Sequence, residues 1–525
     1  MADSERIRMP QMTFGTSRRR SLLWLMGLAM LLAFAFQGSR GLWNTDEGRY
    51  VDGALQMLDS GNFLVPAYSP LEVNLSKPPM TYWVIAASLG TFGRNTWAAR
   101  APSAIAYLLT VLLIYAIGLR LFAQKPWLSG WVFALSLAPF IAANVVSTDV
   151  LLMLFEALAM YAYIARATDP DARHARALLV LMWLGWGLAF LTKGPPGLLP
   201  LLAVILYEAL RDGWSGVGRL FAPLGILVFL AAGLGWYAIV MLRVPWALHY
   251  FLHYEVYDRI FTSVQHRNAG TWGWLIIYFP TLVLGSLPWW PIALSPLLKR
   301  SSRTDSRLPS LRNLAMTSPW QHVARMSRGQ AGPMVLLWLW FVVPLVVFCV
   351  ARSRLPAYVL PLFLPLSLLM TASLEGVVDL RRPAQALVLA AWVIVLLGIK
   401  AGAAYGIHAA GDNRRAAVRL GAMADPERYS SLVFVHATKS TYDIEERTSW
   451  GVRLYLGKPV YAVAWFAQAG PAQLCRALRR SGSALVVMDP GLHYGTVLGS
   501  LPQCMPARVN VVGHWQGHAV AWVRS

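Results

Sequence analysis

The sequence predicts a polytopic α-helical membrane protein with a small α/β domain at its C-terminal end. Of its 525 residues, 57% are hydrophobic and only 14% are charged, which is too little charge to cover the surface of a soluble protein of this length. Apolar runs of about 20 residues recur along the chain, and this length matches the hydrocarbon core of a bilayer. The 23 tryptophans are typical of the aromatic belts at membrane interfaces.

Apolar runs and helix breakers predict about eleven membrane spans. They lie at roughly 21–37, 98–119, 127–144, 149–165, 177–192, 197–210, 220–241, 274–297, 332–350, 357–374 and 385–407. The first run follows Arg18, Arg19 and Arg20 and resembles a signal peptide. Because many further spans follow it, an uncleaved anchor is the favoured interpretation.

The charges between the spans predict the orientation of the chain. With the N-terminus in the cytoplasm, Lys and Arg concentrate in the predicted cytoplasmic loops, above all in 299–331. The predicted outer loop 145–148 has neither residue type, and 193–196 has only Lys193. This follows the positive-inside rule, so the net charge of +21 indicates membrane lipid as a partner and not nucleic acid. An odd number of spans then places the C-terminal segment on the outer, periplasmic side.

The segment 411–525 differs in composition from the rest of the chain. The runs SLVFVHA, VRLYLG, ALVVMD, VNVVG and AVAWV read as short strands, and PAQLCRALRR reads as a helix between them. This predicts a soluble periplasmic α/β domain, separate from a transmembrane domain that covers 1–410. Cys475 and Cys504 lie in it and either pair in an oxidising compartment or remain free thiols.

The outer segment 38–97 is neither a span nor a simple loop. In DEGRYVDGALQMLDSG the apolar residues recur at helical spacing beside charged ones, which predicts an amphipathic helix in the membrane interface. The apolar run of KPPMTYWVIAASLG is too short to cross a bilayer and predicts a second such helix. Interfacial helices are therefore expected at about 45–92.

Ionisable residues collect at the outer ends of the predicted spans. They are Asp46, Glu47, Lys77, Asp149, Lys193, His253, Glu255, His266 and Arg267. Charges near hydrocarbon are costly and are functional candidates by default. Cations at such a face suit a lipid-borne phosphate, and a carboxylate suits the activation of an acceptor hydroxyl.

Some of these charges have simpler interpretations. Asp149 is either functional or a helix N-cap, and Ser147 and Thr148 are rival caps. Arg40 and Arg94 are interpreted as interfacial residues that extend to lipid headgroups.

An ordered series of motifs resembles one family of membrane enzymes. The series is NTDEGRYVDGALQMLDSGNFLVP, SKPPMTYWVIAASLGTFG, RAPSAIAYLLT, STDVLLMLF, FLTKGPPGLLPLL, HYEVYDRIFTSVQHRNAGTWGWLIIYFP, GSLPWWP and SRLPAYVLPLFLPLSLL. It covers about the first 370 residues and is similar to the aminoarabinose transferase and protein O-mannosyltransferase superfamily of GT-C membrane glycosyltransferases. The resemblance implies a polyprenyl-phosphate sugar donor and an acceptor on the outer side. Lipid A is the expected acceptor, and a periplasmic protein hydroxyl is the alternative.

The resemblance also implies roles for single residues. Asp46 is the expected catalytic carboxylate beside the acceptor, and Asp149 is the second one. Lys77 and Arg267 are expected to hold the donor phosphate. The residues expected around the pocket are Tyr50, Tyr82, His266, Glu47 and Lys193, with Glu47 as a structural neighbour of Asp46.

Two alternatives stay open at this point. Aminoarabinose transferases carry a Glu that can join a metal site before the Lys of this motif, where this chain has Ser76. No metal is therefore expected at this motif. The alternative is a divalent ion bound by His253, Glu255 and His266. A flippase or transporter of lipid-linked sugar would place ionisable residues at mid-span, and Glu156 is the main residue of that kind.

Overall fold

The computed structural model describes most of the chain. The described residues are 16–44, 46–122, 124–168, 174–258, 268, 270–294, 332–379, 382–405, 411–439, 441–501 and 506–524. The charged loop 299–331, which contributes to the predicted orientation, lies outside them.

Helices dominate the first 405 residues. The principal ones are α1 (Thr16–Phe34), α2 (Asp46–Ser60), α3 (Met80–Phe92), α4 (Thr96–Leu121), α5 (Leu128–Leu135), α6 (Leu137–Ala143), α7 (Thr148–Thr168), α8 (Ala175–Lys193), α9 (Leu199–Gly218), α10 (Pro223–Arg243), α11 (Gly273–Gly285), α12 (Pro333–Val350), α13 (Pro356–Leu374) and α14 (Pro383–Tyr405). Within the described chain, seven are long and apolar enough to cross a membrane: α4, α7, α8, α10, α12, α13 and α14. The prediction of a polytopic membrane protein is confirmed, whereas the count of eleven spans is not.

Several predicted spans take another form. The run 127–144 is divided at Ser136, whose extended backbone (φ −68°, ψ 133°) separates α5 from α6. Helix α9 is kinked at Gly213, which has a φ of 68° that favours glycine. Helix α11 has only 13 residues. Breaks of this kind are tolerated in a membrane protein where neighbouring helices satisfy the freed backbone groups.

The largest apolar core joins α4, α7 and α8. Small residues let these helices approach closely: a Cβ at Gly185 would lie 2.8 Å from the backbone nitrogen of Ala159. Close approach of this kind is the usual way in which membrane helices gain packing energy. Because Asp149 begins α7 and Lys193 ends α8, this packing brings the two residues to the same end of the helix bundle.

The segment after α1 forms the two predicted helices, but α2 does not lie openly in an interface. Residues Glu47–Met57 of α2 are all buried, because α2 is covered by α3, by the hairpin of β1 (Ala67–Ser69) and β2 (Glu72–Val73), and by the C-terminal segment. The polar residues between Glu47 and Gln56 therefore face protein partners and not water or lipid headgroups, whereas Asp46 and Asp59 near the two ends of α2 stay partly exposed.

The C-terminal segment contains a five-stranded sheet. The strands are β3 (Ser431–His436), β4 (Val460–Ala464), β5 (Ser483–Met488), β6 (Arg508–Trp515) and β7 (His518–Arg524), and the order is β4-β3-β5-β7-β6. β3 is parallel to β4 and β5, and β7 is antiparallel to β5 and β6. The helices are α15 (Asn413–Met423), α16 (Thr441–Arg447), α17 (Val452–Leu456), α18 (Gly470–Ser481) and α19 (Tyr494–Gly499).

Four of the five strand predictions and the helix prediction are confirmed here, and one strand prediction is wrong. VRLYLG forms the one-turn helix α17, which ends at Gly457 in the left-handed conformation (φ 65°), and the strand β4 comes directly after it. The reason is tertiary: in α17 the Arg453 side chain reaches Gln56 and Asp59 on α2.

The cysteines of the described chain differ in state. Cys475 is disulfide-bonded and Cys349 has a free thiol. Cys504 lies outside the described residues.

Candidate active site

Glu47 anchors the first turn of α2. It is 2% exposed and accepts hydrogen bonds from Arg40 at 2.6 and 3.0 Å and from Arg100 at 2.9 Å to each oxygen. The backbone N–H groups of Trp43 and Val146 also donate to it. Burial alone would raise the pKa of this carboxyl, but the two guanidinium groups outweigh burial and lower the pKa to about 2. Glu47 is thus held as an anion that ties α2 to α4.

The interpretation of Arg40 as a residue that extends to lipid headgroups is wrong. Arg40 is 9% exposed, lies 4.1 Å from the ring centroid of Trp43 and donates to the backbone oxygen of Asn144 at 2.8 Å. Arg94 does have an exposed side chain, and it pairs with Asp59 at 2.5 Å.

Asp46 takes the opposite orientation to its neighbour Glu47. Its side chain is 53% exposed, because consecutive helix positions are rotated by about 100°. Arg49, one turn further along α2, donates to Asp46 at 2.5 Å. The same buried guanidinium lies 3.3 Å from Glu446 and 3.6 Å from Glu445 on α16. One cation is thus shared between the predicted catalytic carboxylate and two carboxylates from the C-terminal segment.

Tyr50 and Tyr82 form the buried floor beneath this ion cluster. Their ring centroids are 5.8 Å apart, and Asn74 donates to the Tyr82 hydroxyl at 3.0 Å. Burial raises the pKa of Tyr50 well above its usual value, and the charges of Asp46 and Asp149 raise it further. The charges of both predicted catalytic carboxylates therefore act on the Tyr50 hydroxyl.

Asp149 and Lys193 form an ion pair at the shared end of α7 and α8. Asp149 is not the N-cap of α7. That role belongs to Ser147, whose hydroxyl accepts a hydrogen bond from the Asp149 N–H at 2.9 Å. Ser147 also lies 3.2 Å from the Asp149 carboxylate. The Lys193 ammonium lies 4.5 Å from the ring centroid of Tyr358, so the cation that pairs with this carboxylate also contacts an aromatic ring.

Lys77 approaches the cluster from the loop before α3. Its ammonium lies 4.0 Å from Glu255 and 2.6 Å from the backbone oxygen of Ser76, to which it donates. Burial raises the pKa of Glu445, and the cations Arg49 and Lys77 act in the opposite direction. Lys77 therefore lies close enough to α16 for the two charges to interact.

The remaining predicted residues precede α11, and His253 and Glu255 among them lie on the helical segment Tyr250–Asp258. His253 is exposed and stacks on His249 with 5.0 Å between the ring centroids, and the Tyr250 hydroxyl donates to Glu255 at 3.3 Å. His266 and Arg267 lie outside the described residues. Across the part of the chain that the structure describes, no three His, Cys, Asp or Glu side chains are grouped as metal ligands.

The backbone just before α11 is held in place by Arg354. Arg354 is 5% exposed and donates to the backbone oxygens of Asn268 and Gly270 at 3.1 and 2.8 Å, while Asn268 donates back to the Arg354 backbone oxygen. Asn268 and Gly270 are thus tied to Arg354, just before α13.

Three groups in the cluster were not predicted as site residues from the sequence. Arg49 was within the quoted DEGRY motif, one helical turn from Asp46, and this spacing was a usable signal. Glu445 and Glu446 lie about 400 residues away along the chain, and no local pattern links them to Asp46.

Comparisons with known proteins show what this chain is similar to. The family of dolichyl-phosphate-mannose-protein mannosyltransferases matches residues 76–237. An undecaprenyl phosphate-alpha-4-amino-4-deoxy-L-arabinose arabinosyl transferase from Pseudomonas aeruginosa is 32% identical over 363 residues, which are 67% of this chain and 59% of the relative. A transferase of the same kind from Sodalis glossinidius is 30% identical over 353 residues, 66% of this chain and 58% of the relative. The chain therefore spans less than two thirds of the length of these curated relatives.

Solved structures decide the fold. ArnT from Cupriavidus metallidurans in the apo state aligns with a TM-score of 0.71 at 19% identity, covering 97% of this chain and 98% of that chain. The same protein bound to undecaprenyl phosphate aligns with a TM-score of 0.69 at 20% identity, covering 95% and 97%. The chain belongs to the GT-C superfamily of membrane glycosyltransferases that includes aminoarabinose transferases and protein O-mannosyltransferases. For this GT-C protein the resemblance stated from its motifs is confirmed, and the likeness extends through the C-terminal segment that those motifs did not cover.

Proposed function

We propose that this GT-C protein is a polyprenyl-phosphate-sugar-dependent glycosyltransferase. It moves a sugar, an aminoarabinose-like pentose or a hexose, to an acceptor on the outer side of a bacterial inner membrane. The relatives named above, whose names state undecaprenyl phosphate-linked aminoarabinose, support the donor class. Lipid A is the acceptor that we favour.

The observation that carries this proposal is that each of the two carboxylates, Asp46 and Asp149, is paired with a cation. Asp46 is half exposed and pairs with Arg49, and Asp149 is buried and pairs with Lys193. In our proposal Asp46 contacts the attacking acceptor group and accepts its proton when that group is a hydroxyl. The acceptor oxygen bonds to the anomeric carbon of the sugar as the bond from that carbon to the donor phosphate breaks.

The cations take the charge of the leaving group. The polyprenyl phosphate gains a negative charge as it departs, and nearby ammonium and guanidinium groups stabilise that charge. We assign this role to Lys77, which is largely buried at the edge of the cluster, and to Arg267.

We also propose how the chain is arranged in the membrane. Residues 1–410 form the catalytic membrane domain, and 411–525 form an α/β domain on the periplasmic side, with the N-terminus in the cytoplasm. The packing of α16 and α17 against α2 supports this, because it places the C-terminal segment at the same side as Asp46.

Two alternatives define the controls. The match to the protein mannosyltransferase family keeps a periplasmic protein hydroxyl as a second acceptor class. A flippase would move the lipid-linked sugar without breaking a bond. Glu156 is buried inside α7, and its burial fits a structural role as well as a role in transport.

The experiment is transfer of labelled sugar in proteoliposomes that contain the purified full chain and lipid A. We expect Asp46→Asn to abolish transfer while thermal unfolding is unchanged. Asp212→Asn is the matched control, since it alters another partly exposed carboxylate that pairs with arginines, and it should keep wild-type transfer. Wild-type transfer by the Asp46→Asn protein would refute the site, and donor movement without any labelled acceptor would refute the reaction.

A further inference from the structure

A cavity lies at the end of α2 opposite to Asp46. This cleft has a volume of about 510 Å³ and opens between α2, the β1–β2 hairpin and the C-terminal segment. Its volume is within the range of small-ligand sites. Helix α2 has 15 residues, so the cleft lies about 20 Å from Asp46 at a rise of about 1.5 Å per residue. None of the residues assigned to the active site lines it.

The innermost cation of the cleft is already neutralised. Arg453 is 4% exposed and donates to Gln56 at 2.9 Å and to Asp59 at 2.7 Å. Its other nitrogen lies 3.4 Å from the buried Asp52. This guanidinium shapes the floor of the cleft and holds α17 against α2.

The Asp59 carboxylate also lines the cleft, but it already accepts from Arg453 and Arg94. The side chains that remain available, Arg480 and Asn62, are donors. Arg480, at the end of α18, lines the cleft, is exposed, and has no carboxylate partner among the described side chains. Asn62 uses its side-chain oxygen to accept from the N–H groups of Leu64 and Val65, which leaves its amide N–H groups facing outward. A donor-rich wall with a net positive charge selects a ligand that is rich in acceptors and negatively charged.

The rim of the cleft is apolar. Leu71 and Val73 of the β1–β2 hairpin line it and are 36% and 46% exposed. Exposed apolar side chains beside hydrogen-bond donors suit a sugar ring, which presents C–H faces as well as oxygen atoms. An inorganic anion alone would use the donors and leave the rim without a partner.

We propose that this cleft binds the phosphorylated saccharide headgroup of the acceptor, away from the group that reacts. The inference rests on the proposed function, because it takes the acceptor to be a phosphorylated glycolipid. Such a site would let the C-terminal segment select acceptors by their headgroup. Helix α2 would then contribute to the headgroup site at one end and carry Asp46 at the other.

The test is direct binding to the purified full chain in detergent, without turnover. The probe is a bisphosphorylated glucosamine disaccharide without acyl chains, measured by calorimetry at low salt. We expect Arg480→Ala to weaken binding about tenfold, the worth of one charge-assisted contact, and Arg480→Glu to weaken it further. Arg476→Glu is the matched control, because Arg476 is exposed on the same helix but does not line the cleft, and it should bind as the wild type does.

Three comparisons can overturn the proposal. Equal binding by the wild type and Arg480→Glu would do so, and so would equal weakening by Arg476→Glu. Inorganic phosphate that binds as tightly as the disaccharide would remove the saccharide from the assignment. The Asp46→Asn protein should bind the probe normally, so a failure of the proposed active site leaves this result intact. In transfer assays Arg480→Ala should raise the acceptor KM and leave kcat unchanged.

Discussion

The buried Glu47 carboxylate allows the cost of one substitution to be worked out in two ways. Folding lowers its pKa from 4.5 to about 2, which corresponds to about 3 kcal/mol at roughly 1.4 kcal/mol for each pKa unit. Separately, removal of one partner from a buried ion pair costs about 3–5 kcal/mol, because the other charge stays buried. Glu47→Gln leaves Arg40 and Arg100 facing each other without an anion. We therefore expect it to destabilise the protein by about 3 kcal/mol.

Thermal unfolding of the purified protein, followed by tryptophan fluorescence, measures this effect. Asp46→Asn is the control at the adjacent position: its side chain is 53% exposed, so it should abolish transfer with little loss of stability. The double variant Glu47→Gln with Arg100→Gln should cost less than the sum of the two single changes, since it also removes an unpaired cation.

The pH dependence gives a second readout with a defined sign. Because folding lowers the Glu47 pKa, its contribution is complete above about 4.5 and is lost as the pH falls towards 2. The stability of the wild type should therefore approach that of Glu47→Gln as the solution is acidified. A loss under 1 kcal/mol at pH 7, or a difference that does not shrink at low pH, would refute the assignment of Glu47 as an anchor.

Three further outcomes are expected elsewhere in the chain. Lys193→Met should lower the transfer rate about 100-fold by leaving Asp149 without its cation, with unfolding measured in parallel to exclude global loss of structure. Ser147→Ala should cost about 1 kcal/mol of stability through loss of a helix cap, and a large loss of transfer would contradict the capping role. The hydrogen bond to Asp489 raises the pKa of His518 above 6.5, so its contribution is present below that pH and lost as the pH rises; His518→Gln should therefore destabilise by about 1 kcal/mol at pH 6 and by less at pH 9.

The sequence was sufficient for features that depend on local pattern. Apolar periodicity located α4, α7, α8 and α14, because a helix in lipid must be apolar over its length. It also located four strands of the C-terminal sheet, of which β3 and β5 have continuous runs of buried apolar residues. The pair of Asp149 and Lys193 was anticipated as two separate residues at one membrane face, and helix packing then supplied the contact.

Other features depend on contacts that no local pattern encodes. Arg40 reads as an interfacial cation, yet it is buried because Glu47 and Arg100 complete a network around it. VRLYLG reads as a strand, yet it is helical because Arg453 bonds to α2. In both cases the deciding partner lies on another element, so charge pairing outweighed the intrinsic preference of the segment.

The two ends of α2 show why an exposed carboxylate can remain in place beside a rigid core. Glu47 is fixed by two arginines and Arg453 is fixed by Asp59 and Gln56, so the helix is held near both of its ends. Asp46 therefore needs no buried partner of its own to keep its position, and its carboxylate stays open to an acceptor. Arg49 would lower the availability of that carboxylate if it paired with Asp46 alone. Glu445 and Glu446 share its charge, so the C-terminal segment adjusts the electrostatics of Asp46 through Arg49.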